Sequence, residues 1–178
     1  MQPSVHERIR ASAQRTFRDG AHTLTFHAMG TACRIHFAAG PALAEQFAAA
    51  ALQWVADFET RYSRFLPESL TCEISRQSGK SWVNIDPETE RLLACCHEAH
   101  FLTRGVFDPT ALPLIQLWNW KADPPVIPDD AAIEGAMKKV GWRKVQRAPG
   151  KVFLPEPGMS LDFGGIGKEY AVDQVVRL

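Results

Sequence analysis

Hydrophobic and polar residues alternate along a segment near the start of the chain, "HTLTFHAMGTACRIHF". Leu24 and Phe26 have polar neighbours on both sides, and Cys33, Ile35 and Phe37 keep the same period of two after the short "MGT" motif. A period of two is typical of a β-strand with one buried face. The segment therefore predicts a pair of strands, or one long bent strand, with a break at "MGT".

The next segment, "GPALAEQFAAAALQWVADFETRY", has apolar residues three and four positions apart. This spacing predicts an amphipathic α-helix, and the alanine run favours the helix through its high propensity. Pro41 fits the first turn, where a backbone N–H is not needed. The predicted apolar face consists of Leu43, Phe47, Ala50, Ala51, Trp54, Val55 and Phe58.

Two further helices are bounded by recognisable cap residues. Asp86 is the N-cap candidate of "DPETERLLACCHEAHFLTRG" and Gly105 its end, and Asp129 and Gly141 bound "DDAAIEGAMKKVGW" in the same way. "FDPTALPLIQLWNW" predicts a turn followed by a short apolar helix, and "KADPPVIP" predicts a proline-rich loop. A final helix is predicted to begin within "KEYAVDQVVRL".

Short apolar segments predict the remaining strands, namely "WVNI", "KVQRA", "KVFLPEP" and "MSLDF". Residues 1–20 are polar and basic with weak periodicity, which predicts a polar leader with a short or frayed helix. The order of strands and helices is that of an α/β or α+β fold. We therefore expect a leader over residues 1–20 and one domain over residues 21–178.

The composition narrows the classes of function. The 178 residues carry 20 basic and 20 acidic side chains, and this balance disfavours nucleic acid or an anionic membrane surface as a partner. No apolar run approaches the roughly 20 residues of a membrane span, and the start of the chain has no secretory signal. We expect a cytoplasmic location as written, or a periplasmic one if an export leader was removed. No CxxC pair occurs among the four cysteines, so we expect free thiols and no zinc site.

The segment "LDFGGIGKEYAVD" carries the strongest chemical signal in the sequence. Glycines after a strand let the backbone approach a ligand closely, and a helix that begins behind them offers unpaired N–H groups to an anion. Lys168 adds a full positive charge, and Asp162 can accept a hydrogen bond from a sugar hydroxyl or a ring N–H. The spacing matches neither the GxGxxG fingerprint nor the P-loop, so the sequence does not identify a known phosphate-binding motif. The alternative is a tight strand-to-helix turn that needs glycines.

Three other motifs have both a binding and a purely structural interpretation. In "FDPT", Asp108 is either a ligand contact or the acceptor of an Asx turn that caps the next helix. In "HAMGT", Met29 either packs on an aromatic ring of a ligand or belongs to the core. The aromatic residues of "RYSRFLPES" either stack on a ring system or hold the loop to the core.

The order of these four motifs resembles that of the FAD:protein FMN transferases, the ApbE family, over about Thr23 to Leu178. The resemblance implies an ApbE or T-fold-like architecture, with a mixed, mostly antiparallel sheet and packed helices. It implies a backbone carbonyl ligand of Mg²⁺ at Gly165 and a catalytic role for Lys168, whose charge offsets that of a pyrophosphate. The residues that it assigns to FAD binding are Met29, Phe65, Val106, Phe107, Asp108, Asp162 and Lys168.

The resemblance also implies a reaction and its partners. FMN passes from FAD to a Ser or Thr hydroxyl of an acceptor protein in a Mg²⁺-dependent step, and AMP leaves. Family members are longer than this chain, so we expect it to be their N-terminal part, without the Asp and Thr side chains that complete the Mg²⁺ site. Glu169 departs from the glycine that usually follows the lysine. The alternatives are a non-catalytic module that binds or scavenges FAD, and an inactive fragment.

Overall fold

The computed structural model describes residues 3–118, 123–124 and 126–178. The chain divides into two compact units, one comprising Met1–Ser63 with Gly167–Leu178 and the other comprising Arg64–Ile166. The predicted loop over "KADPPVIP" and the end of "FDPTALPLIQLWNW" lie partly outside the described residues.

The first unit contains a three-stranded antiparallel sheet in the order β1-β2-β3. Its strands are β1 (Gln14–Arg18), β2 (Ala21–Ala28) and β3 (Thr31–Phe37). The β2–β3 hairpin turns at Met29 and Gly30, whose φ angles of 51° and 73° are both left-handed. Two-residue hairpins favour such a turn because it matches the twist of the paired strands. The predicted strand pair with a break at "MGT" is therefore confirmed.

The first twenty residues contain more regular structure than the sequence predicts. The expected short helix is present as α1 (Val5–Ser12), with a capping box between Ser4 and Glu7, and its Ile9 is fully buried in the core of the unit. Strand β1 follows it and was not predicted. All five of its residues are exposed, so an edge strand without a buried face leaves no alternation to recognise.

The longest helix of the first unit is α2 (Pro41–Tyr62), and α7 (Gly167–Val175) packs beside it. Phe58 of α2 stacks on Tyr170 of α7, with ring centroids 5.9 Å apart. The helix and its proline start are confirmed, but the predicted face is wrong in part, since Leu43 is 61% exposed and Ala50 is also exposed. The buried face includes four alanines, and spacing alone does not distinguish buried alanines from exposed ones in an alanine-rich helix. The face that is buried consists of Ala44, Ala48, Ala51, Val55, Ala56, Phe58 and Tyr62.

The described helices of the second unit are α3 (Leu70–Arg76), α4 (Pro87–Leu102), α5 (Leu112–Ile115) and α6 (Asp130–Met137). The predicted N-caps Asp86 and Asp129 accept hydrogen bonds from the backbone N–H groups of Thr89 and Ala132. Helices α4 and α6 end before the predicted glycines. Helix α4 ends at Leu102, and two residues later Arg104 has a left-handed φ of 54°, which a right-handed helix does not accommodate.

The strands of the second unit are β4 (Val83–Asn84), β5 (Gln146–Ala148) and β6 (Lys151–Phe153), in an antiparallel sheet of order β4-β6-β5. The predicted strand at "MSLDF" is wrong. The backbone of this segment pairs with none of the described strands. The Leu161 N–H donates to Ser75 Oγ at 3.3 Å, and the Asp162 N–H donates to the Pro109 carbonyl at 2.8 Å. The α+β class with antiparallel sheets is confirmed. None of the described helices is long and apolar enough to cross a membrane.

Candidate functional site

The residues that the sequence singled out fall in both compact units. Met29 and Lys168 belong to the first unit. The second unit holds the other predicted residues, which are Phe65, Val106, Phe107, Asp108, Asp162 and Gly165.

In the first unit, the Met29 turn is held by a carboxylate of α2. The Met29 N–H donates to Glu59 Oε2 at 2.8 Å, and Glu59 Oε1 accepts from Arg8 Nη2 at 2.5 Å. The Met29 side chain is partly buried and packs against the core of the unit. Part of the Met29 side chain therefore belongs to the core, as one of the two interpretations predicted, and the rest is exposed to solvent.

Lys168 lies in the first turn of α7 and is exposed. Burial raises the pKa of the nearby Cys33 thiol, the negative charge of Glu59 raises it further, and the positive charge of Lys168 lowers it. Lys168 and Glu59 therefore both lie within electrostatic range of Cys33, which follows the Met29 turn on β3. The N-terminus of α7 carries a partial positive charge, so it and Lys168 both favour an anion at this end of the helix.

In the second unit, Arg64 connects two motifs that are far apart in sequence. Its guanidinium lies over the Phe65 ring, 4.3 Å from the centroid, and its Nε lies 3.3 Å from Asp162 Oδ2. Phe65 is 76% exposed, although the Arg64 guanidinium lies against its ring. The serine of the same motif, Ser69, is fully buried and caps α3 by accepting a hydrogen bond from the Cys72 N–H.

The glycine turn is organised by Asp162. Its Oδ1 accepts from the Gly164 N–H at 2.9 Å, while its backbone N–H bonds to the Pro109 carbonyl of the "FDPT" loop. At Gly165 an added Cβ would lie 3.2 Å from Cε2 of Phe107, which is tighter than most real Cβ contacts. A side chain at this position would therefore force the Phe107 ring to shift by a few tenths of an ångström. Residues of three motifs are thus brought together within the second unit, namely Arg64 and Phe65, the "FDPT" loop, and Asp162 with Gly165.

Asp108 has the geometry of the Asx turn that was the alternative to a ligand contact. Its Oδ1 accepts from the Thr110 N–H at 2.8 Å and from Thr110 Oγ1 at 2.5 Å, and its Oδ2 accepts from the Trp142 N–H at 3.0 Å. Thr110 Oγ1 in turn accepts from the Gly141 N–H at 2.7 Å. The carboxylate therefore joins the "FDPT" loop to the segment at Trp142.

The two residues before Asp108 face different surroundings. Val106 is 90% exposed. Phe107 is partly buried, and its backbone is bonded at both ends. The Phe107 N–H donates to Thr103 Oγ1 at 3.0 Å, and the Phe107 carbonyl accepts from His100 Nδ1 at 2.8 Å. The flavin contacts assigned to these residues remain predictions.

The predicted magnesium position at Gly165 offers a single backbone carbonyl. Asp162, the acidic residue that precedes the glycines, is engaged by Arg64 and the Gly164 N–H. Within residues 3–118, 123–124 and 126–178, no group of three His, Cys, Asp or Glu side chains is placed to hold a metal ion. Magnesium is usually held through carboxylates and water in octahedral geometry, so the described residues do not supply that donor set.

Three residues that the sequence did not assign to the site have positioning roles. Glu59 holds the Met29 turn, Arg64 joins Phe65 to Asp162, and Thr110 completes the hydrogen bonds of Asp108. The position of Arg64 inside the "SRF" motif was a usable signal. Glu59 had none, because its carboxylate meets the Met29 N–H 30 residues away in sequence only through folding.

Comparison with known proteins adds an independent finding. The sequence profile of the ApbE family matches residues 29–178. A protein of Treponema pallidum (strain Nichols) named FAD:protein FMN transferase is 28% identical over 162 residues, which cover 84% of this chain and 44% of that protein. The chain thus spans less than half the length of this curated relative.

Two solved structures share the fold. The crystal structure of the ApbE protein from Thermotoga maritima MSB8 superposes with a TM-score of 0.78 at 28% identity, covering 88% of this chain and 52% of that one. The flavin transferase ApbE from Vibrio cholerae gives a TM-score of 0.80 at 20% identity, covering 93% and 53% of the two chains. The motif order, the convergence of three motifs in one unit and the family match agree, and the chain belongs to the ApbE family.

Proposed function

We propose that this chain provides FAD-binding elements of an FAD:protein FMN transferase. The observation that carries the proposal is the convergence of the "SRF", "FDPT" and "DFGGIG" motifs, joined by the Arg64–Asp162 ion pair and the Gly165–Phe107 approach. The names of the relatives support the same activity at the level of the family.

In the proposed reaction, the hydroxyl oxygen of a Ser or Thr on an acceptor protein attacks the FMN phosphorus of FAD. The new bond is a phosphoester P–O bond, and the P–O bond to AMP breaks, with its electron pair leaving on AMP. The hydroxyl proton passes to a base that is not among the predicted residues. Phosphoryl transfer depends mainly on positioning and on charge neutralisation, rather than on covalent chemistry by the protein.

The predicted residues suit different parts of the FAD molecule. The exposed Phe65 ring, backed by the Arg64 guanidinium, suits stacking on the flavin ring system. Asp162 suits acceptance of a hydrogen bond from the flavin or its sugar chain. Lys168, at the positive end of α7, suits the pyrophosphate charge, and its exposure leaves room for a ligand.

We also propose that the reaction requires Mg²⁺, with the Gly165 carbonyl as one ligand. The described residues do not complete the donor set, so no step is assigned to the metal. The alternative is a module that binds FAD without transferring FMN.

The test is a titration of FAD into the chain by calorimetry, with and without Mg²⁺, for the parent protein, Lys168→Ala and a matched control, Lys138→Ala. Lys138 is an exposed lysine of the second unit whose side chain makes no contact that the structure describes. We expect Lys168→Ala to weaken FAD binding about tenfold or more, since a hydrogen bond or ion pair to a charged group is worth about 1.5–3 kcal/mol. The control should bind like the parent.

Equal affinity for FAD in Lys168→Ala and the parent would show that Lys168 does not contact the pyrophosphate. Incubation with FAD, Mg²⁺ and an acceptor protein then separates the two functions. Release of AMP together with a flavin-labelled acceptor supports transfer. FAD binding without AMP release supports the non-catalytic module.

A further inference from the structure

The second unit contains an open pocket of about 320 Å³ at the C-terminal end of α4. Five of its nine lining residues are arginine or histidine, namely His97, His100, Arg104, Arg143 and Arg147, and none is acidic. This bias is strong for a chain with equal numbers of acidic and basic residues, and none of the residues predicted to bind FAD lines the pocket.

The back wall of the pocket is held in place by hydrogen bonds and ring contacts. The indole Nε1–H of Trp142 lies 3.3 Å from His97 Nδ1. Because an indole N–H can only donate, Nδ1 of His97 accepts, and the ring hydrogen of a neutral His97 is on Nε2. Arg147 lies 5.5 Å from the Trp142 ring centroid, and its Nη1 donates to the Leu93 carbonyl at 3.2 Å.

His100 is also fixed by a hydrogen bond. Its Nδ1 donates to the Phe107 carbonyl at 2.8 Å and lies 3.9 Å from Asp108 Oδ2. That carboxylate is engaged by Trp142 and Thr110 rather than by the arginines of the pocket. The other edge of the imidazole lies beside Gly105, where an added Cβ would be 3.7 Å from Nε2.

Arg104 and Arg143, two arginines of the pocket, are exposed. In the part of the chain that the structure describes, neither side chain has a hydrogen bond or ion pair. Arg104 has a left-handed φ of 54° and is followed by Gly105 at 85°, so the tight turn after α4 places it at the edge of the pocket. A guanidinium offers a planar set of donors that matches a phosphoryl or carboxylate group.

We propose that this pocket binds the phosphoryl group of a small phosphorylated molecule, through Arg104, Arg143 and Arg147. Three guanidinium groups match the several oxygens and the double charge of a phosphate better than the single charge of a carboxylate. The exposed Phe101 at the edge gives a surface for an attached ring. The proposal does not depend on the proposed flavin transfer.

The indole N–H of Trp142 can report on ligand binding by NMR, because it forms a hydrogen bond to His97 within the pocket lining. Trp142 is one of five tryptophans, so its signal must be assigned. We would follow this N–H signal by heteronuclear NMR of the full chain, assigned with Trp142→Phe, during titrations with inorganic phosphate, pyrophosphate, AMP and adenosine. The first three should shift the signal in a saturable manner. Adenosine lacks a phosphate, so it should bind at least about tenfold more weakly than AMP.

Variants then test the arginines. Arg143→Ala should weaken AMP or pyrophosphate binding about tenfold, and Arg104→Asn, which tolerates a left-handed φ, should act similarly. The matched control is Arg34→Ala, an exposed arginine on β3 of the first unit, which should leave binding unchanged. Binding should also weaken as salt is raised, because exposed charges are screened.

Tighter binding of AMP than of inorganic phosphate would show that the attached ring contributes, and equal binding would show that the phosphoryl group alone is recognised. Both results support the site. The proposal is overturned if no phosphorylated probe shifts the Trp142 signal, if adenosine binds as tightly as AMP, or if Arg143→Ala binds like Arg34→Ala.

Discussion

The Asp108 carboxylate provides the sharpest test of how the "FDPT" loop is built. It accepts three hydrogen bonds, two from Thr110 and one from the Trp142 backbone, and its side chain is only 14% exposed. Thr110 is fully buried and Trp142 is 3% exposed, so water cannot replace the lost acceptor without rearrangement.

Replacement of Asp108 by alanine leaves these donors without their acceptor. Each hydrogen bond to a charged group is worth about 1.5–3 kcal/mol, and the contributions are not additive. We therefore expect Asp108→Ala to lower the free energy of unfolding by about 3–5 kcal/mol. Asp108→Asn keeps the acceptor that faces Thr110, but its amide N–H₂ then meets the Trp142 N–H, so we expect a loss of about 1–3 kcal/mol.

The assay is urea unfolding followed by tryptophan fluorescence, with Glu156→Ala as the control. Glu156 is an exposed acid of the same unit with no side-chain contact that the structure describes. The control should change stability by less than about 0.5 kcal/mol. If Asp108→Asn were as stable as the control but bound FAD more weakly, the carboxylate would be a ligand contact rather than a support of the loop, and the reasoning from its hydrogen bonds would be refuted.

Three further outcomes follow from the geometry. Gly165→Ala places a Cβ 3.2 Å from the Phe107 ring, so we expect weaker FAD binding in calorimetry with a stability loss of about 1 kcal/mol; unchanged binding would mean that the ring moves freely. Leu92→Ala, at a fully buried position of α4, should lower stability by about 2–5 kcal/mol in thermal unfolding, whereas Leu102→Ala, at a position 78% exposed, should have little effect. Burial raises the pKa of Cys96 to about 12 from 9.0, so its thiol stays protonated in the fold while the unfolded thiol ionises. The free energy of unfolding should therefore fall as pH rises from about 9 to about 12, and a Cys96→Ala variant that shows the same fall would exclude this cause.

Local patterns in the sequence were sufficient for most elements. The alternation around "MGT" identified β2 and β3, and the caps at Asp86 and Asp129 identified the starts of α4 and α6. These features depend on residues within a few positions of one another. The prediction failed at β1 and "MSLDF". In both places, the presence or absence of a neighbouring strand decides the structure, and alternation within the segment does not reveal it.

The candidate site shows the same division. The four motifs identified the relevant residues, but each had a structural alternative that the sequence left open. Folding brought Arg64 against Asp162 and Gly165 against Phe107, across about a hundred and about sixty residues of sequence, and it committed the Asp108 carboxylate to Thr110 and Trp142. Those hydrogen bonds favour the turn interpretation of Asp108, which spacing alone did not distinguish.

The sequence by itself determined the helices with strong caps, the central hairpin and the family resemblance carried by motif order. Only the tertiary structure decided the buried face of α2, the support of Met29 by Glu59, and the gathering of three arginines and two histidines into one pocket. The physical reason is that propensity, capping and turn chemistry act between near neighbours along the chain. Packing and charge clustering depend instead on segments that meet only after folding, so they leave no periodic signal in the sequence.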